Sequence, residues 1–259
     1  ETADLAYEAV RLLSELPAPA IPPMAGRVGI DLAEVGLRGF ALRDVRVDAR
    51  TDGRTWTIEQ FIAQMPGDTE IRVNGTLVDE GNRPAFRGDV SVASQRLDGL
   101  VALWRTPEDG SALFNRPGRL DAGVMLAGDA LGLADGVLTL GENAHTVEAR
   151  LGFGAEKRLD LVAHFDVLSD EESAAVGDML PNFAGDPGFS LSFPQGSFAL
   201  TGTSARVFGL EGTDLVADGQ WAGGEIRFTR LAAEDWGGLG FDGVLAAGGT
   251  LAEPALSGS

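Results

Sequence analysis

GRLDAGVMLAGDALGLADGVLTLGENAHTVEARLGFGAEKRLDLVAHFDVL, residues 118–168, reads as strand, turn, strand, turn, four times over. In its last strand, Leu159, Leu161, Ala163, Phe165 and Val167 fall on one side of an extended chain. Arg158, Asp160, His164 and Asp166 fall on the other, with Val162 as the exception. The strand before it divides in the same way, Val147, Ala149, Leu151 and Phe153 against Thr146, Glu148 and Arg150. Further back, Leu120, Ala122 and Val124 oppose Arg119 and Asp121. Period-2 alternation marks a sheet with one apolar and one wet face. The connections are short and glycine-led, at Gly128-Asp129, Gly141-Glu142-Asn143 and Gly154-Ala155-Glu156, as tight antiparallel turns require. The stretch therefore predicts a meandering antiparallel sheet. Leu120, Val124, Val147, Leu151, Phe153, Leu161, Phe165 and Val167 would line its apolar side.

Strand grammar continues outward in both directions. It runs from Gly26 through RVGIDLAEVGLRG, FALRDVRVDART, DTEIRVNGTLVDE and PAFRGDVSVAS, and resumes from Phe189 to the end. TWTIEQFIAQMPG is consistent with a strand and a helical turn, and Gln95 to Trp104 with either helix or strand. Two helices stand out. Residues 2–16 place Leu5, Ala9, Leu12, Leu13 and Leu16 at helical spacing and end against Pro17, Pro19, Pro22 and Pro23. Ser169 stands three before Glu172, the signature of a capping box, and opens a helix that Pro181 stops near Leu180. With roughly sixteen strand candidates the expectation is an all-β fold. Its form would be an elongated, mostly antiparallel, twisted sheet curled into a groove, with two short helices. Residues 1–25 form a helix and proline-rich link, and residues 26–259 a repetitive sheet segment. The opening at Glu1 and the close on Leu-Ser-Gly-Ser lead to the expectation of a fragment of a longer chain. Gly75-Thr76-Leu77-Val78-Asp79 with Pro84-Ala85-Phe86-Arg87-Gly88 returns as Gly249 to Glu253 with Pro254 to Gly258, an echo that suggests a repeated strand-turn-strand unit.

Charge narrows the function classes. The chain of 259 residues carries a formal net charge of −19, from 39 acids against 20 bases. Such a field repels phosphate backbones and anionic bilayers, so no nucleic-acid partner is expected. The arginines Arg38, Arg43, Arg46, Arg50 and Arg54 make a local positive patch that Asp44, Asp48 and Asp52 offset. Cysteine is absent, which removes disulfide and thiolate chemistry. His145, read in a turn, and His164, on a polar strand face, make no metal-ligand spacing, and the common nucleophile and phosphate motifs are missing. Neither an enzyme nor a cofactor is expected. Gly237 to Val244 fits one copy of a calcium-binding nonapeptide, but a parallel roll needs tandem copies, so a glycine-rich turn is the better reading.

GRVGIDLAEVGLRGFALRDVRVDAR, Trp56-Thr57-Ile58, and Met65-Pro66-Gly67 leading into EIRVNGTL resemble the periplasmic region of AsmA-like proteins. So does the close, from EGTDLVADGQW to GTLAEPALSG, and the likeness covers most of residues 26–259. What it implies is an inner-membrane anchor outside this chain, a periplasmic β-groove, and a part in phospholipid movement and outer-membrane assembly, as in bridge-like lipid-transfer proteins. Phospholipid or another lipid would be the partner, with other envelope proteins as further candidates. The family offers no catalytic residues to carry over. Strands of about ten residues extend roughly 33 Å, more than the ~15 Å of one leaflet's hydrocarbon, so such a groove can sheathe acyl chains. The rival expectation is an envelope scaffold whose apolar face is a closed, dry core. Small residues at Ala122, Ala149 and Ala163 leave room for a groove, while Phe153 and Phe165 are large enough to fill it.

Overall fold

Alternating apolar and polar residues between glycine-led turns give strands of ten to thirteen residues along almost the whole described chain. A computed structural model describes residues 11–12, 20–37, 39–79, 83–107, 109–155, 157–179, 193–207, 209–222, 225–249 and 254–258. Five strands come first: β1 (Gly26–Gly36), β2 (Ala41–Thr51), β3 (Trp56–Met65), β4 (Thr69–Asp79) and β5 (Pro84–Ser94). The short helix α1 (Leu97–Val101) then leads to β6 (Gly118–Ala127), β7 (Ala130–Leu140), β8 (Asn143–Gly152) and β9 (Arg158–Leu168). Helix α2 (Asp170–Met179) leads to β10 (Gln195–Val207), β11 (Leu210–Ala222), β12 (Glu225–Trp236), β13 (Leu239–Gly249) and β14 (Pro254–Gly258). The fourteen strands form a single sheet in sequence order, so each pairs with its chain neighbours and the sheet is not closed into a barrel.

All pairs are antiparallel except β9–β10, which run parallel. A parallel pair needs a crossover, and α2 lies within that connection. The two helices thus divide the sheet into blocks of five, four and five strands. In each block the second strand carries an aspartate at positive φ: Asp44 (48°) in β2, Asp135 (52°) in β7 and Asp214 (47°) in β11. Aspartate tolerates the left-handed region better than most residues. Register shifts fall between Arg43 and Arg46, between Leu133 and Gly136, and between Asp218 and Gly219. Bulges of this kind add twist and bend a sheet that would otherwise splay flat.

The all-β, one-sheet fold is the expected one, with fourteen strands among the described residues, and the strand expected from Phe189 lies outside them up to residue 192. Residues 56–65 are one strand with a register shift between Ile58 and Phe61, rather than a strand and a helical turn. The 95–104 segment resolves to helix at 97–101. The helix expected over residues 2–16 lies outside the described residues except for Arg11 and Leu12, which are helical. At the second helix the capping box forms in both directions. The Ser169 amide donates to Glu172 Oε2 at 2.9 Å and the Glu172 amide to Ser169 Oγ at 3.2 Å. In the repeat echo, Pro84 and Pro254 each open the strand that follows, although residues 250–253 lie outside the described set. Among the described residues no helix is long and apolar enough to cross a membrane.

Candidate functional site

Register carries one face of the sheet from strand to strand without a break. One row runs Trp56, Leu77, Phe86, Leu126, Leu131, Leu151, Leu159, then Gly196, Trp221, Ile226 and Ala247. A second runs Ile30, Val47, Phe61, Val73, Val90 and Ala122. The opposite face is wet and self-neutralising. Its arginines pair with aspartates two residues along the same strand: Arg46–Asp48 at 2.9 Å, Arg119–Asp121 at 2.6 Å and Arg158–Asp160 at 2.7 Å. Arg50 and Arg43 of the basic patch pair with Glu59 and Glu34, at 3.2 Å and 4.0 Å. Val162, the exception in the alternation, stands on this wet face and is 51% exposed.

The residues expected to line the apolar side all fall on that face. Leu120 opposes Leu138, Val124 opposes Leu133, Val147 opposes Ala163, Leu151 opposes Leu159, and Leu161 opposes Ala149. Leu120, Val124, Val147, Leu151, Leu161 and Phe165 are half-buried, whereas Val167 is 47% exposed at the far end of β9. Phe153 lies just past β8 and is buried with Phe193 and Trp221, against Leu126, Leu131, Leu151, Leu159, Phe198 and Ile226. The Trp221 indole donates to the Phe193 carbonyl at 3.0 Å.

Few large side chains of this face are fully buried, and a closed core between packed layers would bury most of them. Three aromatic rings also lie down on the sheet instead of rising from it. A β-carbon on Gly75 would come within 2.7 Å of Phe86 Cζ, one on Gly219 within 2.4 Å of Phe198 Cζ, and one on Gly196 within 2.2 Å of Trp221 Cζ2. Phe86 and Phe198 stay half-buried over their glycines, whereas Trp221 is itself covered by its cluster and is 6% exposed. At the β1 edge, Val28, Ile30 and Leu32 extend the apolar face and stay 43–46% exposed.

One end of the face is covered. Leu97 and Val101 of α1, Leu113, Leu140 and Ala175 of α2 form a buried cluster, with Leu100, Trp104, Leu138, Val176 and Met179 packed on it. Gly67 makes this approach possible, because a β-carbon there would stand 2.3 Å from the Arg96 carbonyl oxygen. Each acid of the first turn of α2 holds a different part of the chain. Asp170 pairs with Arg206 of β10 at 3.0 Å, Glu171 with Arg116 at 2.8 Å, and Glu172 accepts from Asn143 Nδ2 at 3.1 Å. Trp104 Nε1 donates to the Met179 carbonyl at 2.9 Å and fastens the other end of the helix.

His145, expected in a turn, belongs to β8 on the apolar face and is 2% exposed. The turn takes only Gly141 and Glu142, so the strand begins two residues before His145. Its Nδ1 accepts the Asp166 amide at 3.3 Å, and its ring lies 5.4 Å from that of Phe165. Burial pushes its pKa below the usual imidazole value, against the pull of Glu172 and Asp166, while His164 adds to the lowering. His164 is exposed and bonded to Thr201 Oγ1 at 2.9 Å.

Among the described residues no group of three His, Cys, Asp or Glu side chains is placed to hold a metal ion. Gly237 and Gly238 form the β12–β13 turn, and Asp242 of the nonapeptide-like stretch pairs with Arg230 at 3.2 Å. An open depression of about 450 Å³ is lined by Glu148, Arg150 and Asp160 together with Met125, Gly132 and Val162. The mixed charges give it no preference for an anion or a cation. Compared with known proteins, the chain matches no family model, no curated protein and no solved structure.

Proposed function

We propose that the apolar face binds lipid acyl chains, and that the protein holds or conducts phospholipid along it by binding rather than by covalent chemistry. The observation that carries this reading is the registered apolar row crossing the sheet from Trp56 to Ala247, on a face that stays largely half-exposed. Contiguous apolar surface of that extent is costly in water and marks a place where something apolar sits. Rings laid flat over Gly75 and Gly219 stay half-buried, so space is left above the sheet where a filled core would have side chains. The chain's net charge of −19 discourages adhesion to anionic bilayers and leaves the apolar side as the working surface.

The likeness to AsmA-like proteins supports the same reading. On it, the chain is a periplasmic segment of an envelope protein anchored in the inner membrane, serving lipid transport and outer-membrane assembly. The test is lipid extraction and native mass spectrometry of the purified chain, followed by photo-crosslinking with a diazirine-bearing phospholipid. Acyl lipids should co-purify, and crosslinks should map to the apolar face around Leu133 and Leu161. A chain that purifies empty and crosslinks no more on that face than on the wet one overturns the proposal in favour of a scaffold.

A further inference from the structure

The first turn of α2 is bonded to β8 two residues from a buried histidine. Asn143 and His145 stand two residues apart on the same face of β8, and Glu172 reaches Asn143 with both carboxylate oxygens at 3.1 Å. The β7–β8 turn lies directly beneath, since a β-carbon on Gly141 would come within 3.0 Å of Glu172 Oε1. His145 and Glu172 are 2% and 5% exposed. In the neutral ring, Nδ1 accepts the Asp166 amide at 3.3 Å, so the proton sits on Nε2, which has no partner among the described residues. A second proton can go only to Nδ1. There it would face the Asp166 N–H, donor against donor, and the ring would have to turn or leave. Water is excluded and the ring packs on Phe165, so it has no solvated position to turn into.

We propose that His145 is an acid-sensitive catch for α2: protonation of the ring breaks its bond to the Asp166 amide and loosens the helix from the end of the apolar face. Glu172 on α2 and Asp166 and His164 on β9 are the titratable groups that bear on the ring. The two carboxylates attract the imidazolium, but burial outweighs them, and His164 opposes it. The other acids of the turn, Asp170 and Glu171, are paired with Arg206 and Arg116. Because the folded form holds the ring neutral, its contribution is complete above the unfolded pKa of about 6.5 and is lost as pH falls below that value. Loosening α2 uncovers Leu138 and Leu140 beneath Ala175 and Val176, so the catch governs access to one end of the face whatever binds there.

The test is hydrogen exchange of the α2 amides in the whole chain at pH 7.5 and 5.5, each rate corrected for intrinsic exchange. The α2 protection factors should fall by up to about tenfold at pH 5.5, the most that one proton with an unfolded pKa near 6.5 can deliver. The H145Q variant, which does not titrate, should show equal α2 protection at both pH values. H164Q, altered on the wet face, should keep the fall. Imidazole NMR of the unaltered chain supplies a check that does not depend on the variants: α2 resonances should shift with the His145 midpoint, and that midpoint should lie below 6.5. Unchanged α2 protection at pH 5.5, a fall that persists in a folded H145Q, or a His145 midpoint at or above 6.5 overturns the catch. None of these outcomes bears on whether acyl chains bind.

Discussion

Gly196 and Trp221 are cross-strand partners on β10 and β11, and the indole lies flat across the glycine where a β-carbon would come within 2.2 Å of it. The same indole stacks near Phe198, with centroids 6.4 Å apart and planes 21° from parallel. Phe198 in turn covers Gly219 and meets Phe228 edge-on at 5.4 Å. Each ring is held down because the residue beneath it has no side chain.

Gly196→Ala should therefore raise the Trp221 ring and disturb the Phe153–Phe193–Trp221 cluster, and it should also press on β9, because the same β-carbon would stand 2.0 Å from the Leu159 carbonyl oxygen. Overpacking of this kind costs about 1–3 kcal/mol, and for a chain of this size each kcal/mol moves the melting temperature by about 2–4 °C. A thermal melt with tryptophan emission reads both effects. An unchanged melt would show that both the ring and the β9–β10 pairing give way without cost.

Calcium should not matter. The nonapeptide-like stretch is split between a turn at Gly237-Gly238 and strand β13, and Asp242 is engaged by Arg230. A ligand that binds only the folded state must raise its stability, so a chelator should leave the melting temperature where it was. A clear drop in chelator would restore a metal role for Asp242.

Glu172 sets a second acid transition. Burial pushes its carboxyl upward, but the Ser169 amide and hydroxyl, Asn143 and the nearby His145 outweigh burial and hold it below the ordinary value of 4.5. Its contribution is therefore present above pH 4.5 and is lost as pH falls through the lower folded value. Glutamine keeps the capping-box acceptor, so Glu172→Gln should lower stability at pH 7 only by the scale of a carboxylate lost from a helix N-terminus, about 0.3–1 kcal/mol. It should also flatten the part of the stability curve below pH 4.5. Denaturant melts at pH 7, 4.5 and 3.5 distinguish this from a uniform loss, which would leave the curve parallel to that of the unaltered chain.

Alternation made the two faces legible, because a period of two assigns each side chain to a side before any pairing is known. Direction is invisible to it, so the parallel β9–β10 pair could not be read from DLVAHFDV and SFALTGT. Bulges were hidden for a related reason. Asp135 breaks the parity of β7, yet LGLADGVLTL still looks like a strand on either side of it. Helix α1 has five residues and no periodicity to show, and depends on its seat against Gly67. His145 could have been placed. Counting back by two from Val147 puts it on the apolar side once Asn143 is given to the strand instead of to the turn.

Leu151 and Leu161 separate a lipid-lined face from a closed core. Both are half-buried on the apolar side, and neither belongs to the helix-covered cluster at its end. Leu161 opposes Ala149, which leaves space above it, whereas Leu151 packs on the Phe153–Trp221 cluster. Leu161→Asp places a carboxylate where an acyl chain would lie. A polar group without partners costs a bound apolar chain several kcal/mol, while the free protein can still solvate it from the open side. Leu151→Asp should destabilise the fold more, because part of its surroundings is filled by aromatic rings. The expected pattern is a nearly unchanged melt with lost lipid crosslinking for Leu161→Asp, and a lowered melt for Leu151→Asp. In a closed core both changes would leave a charge buried and unpaired, at about 3–5 kcal/mol each. Equal collapse of the two variants, together with no lipid captured by the unaltered chain, would refute the acyl-chain reading and leave a structural sheet.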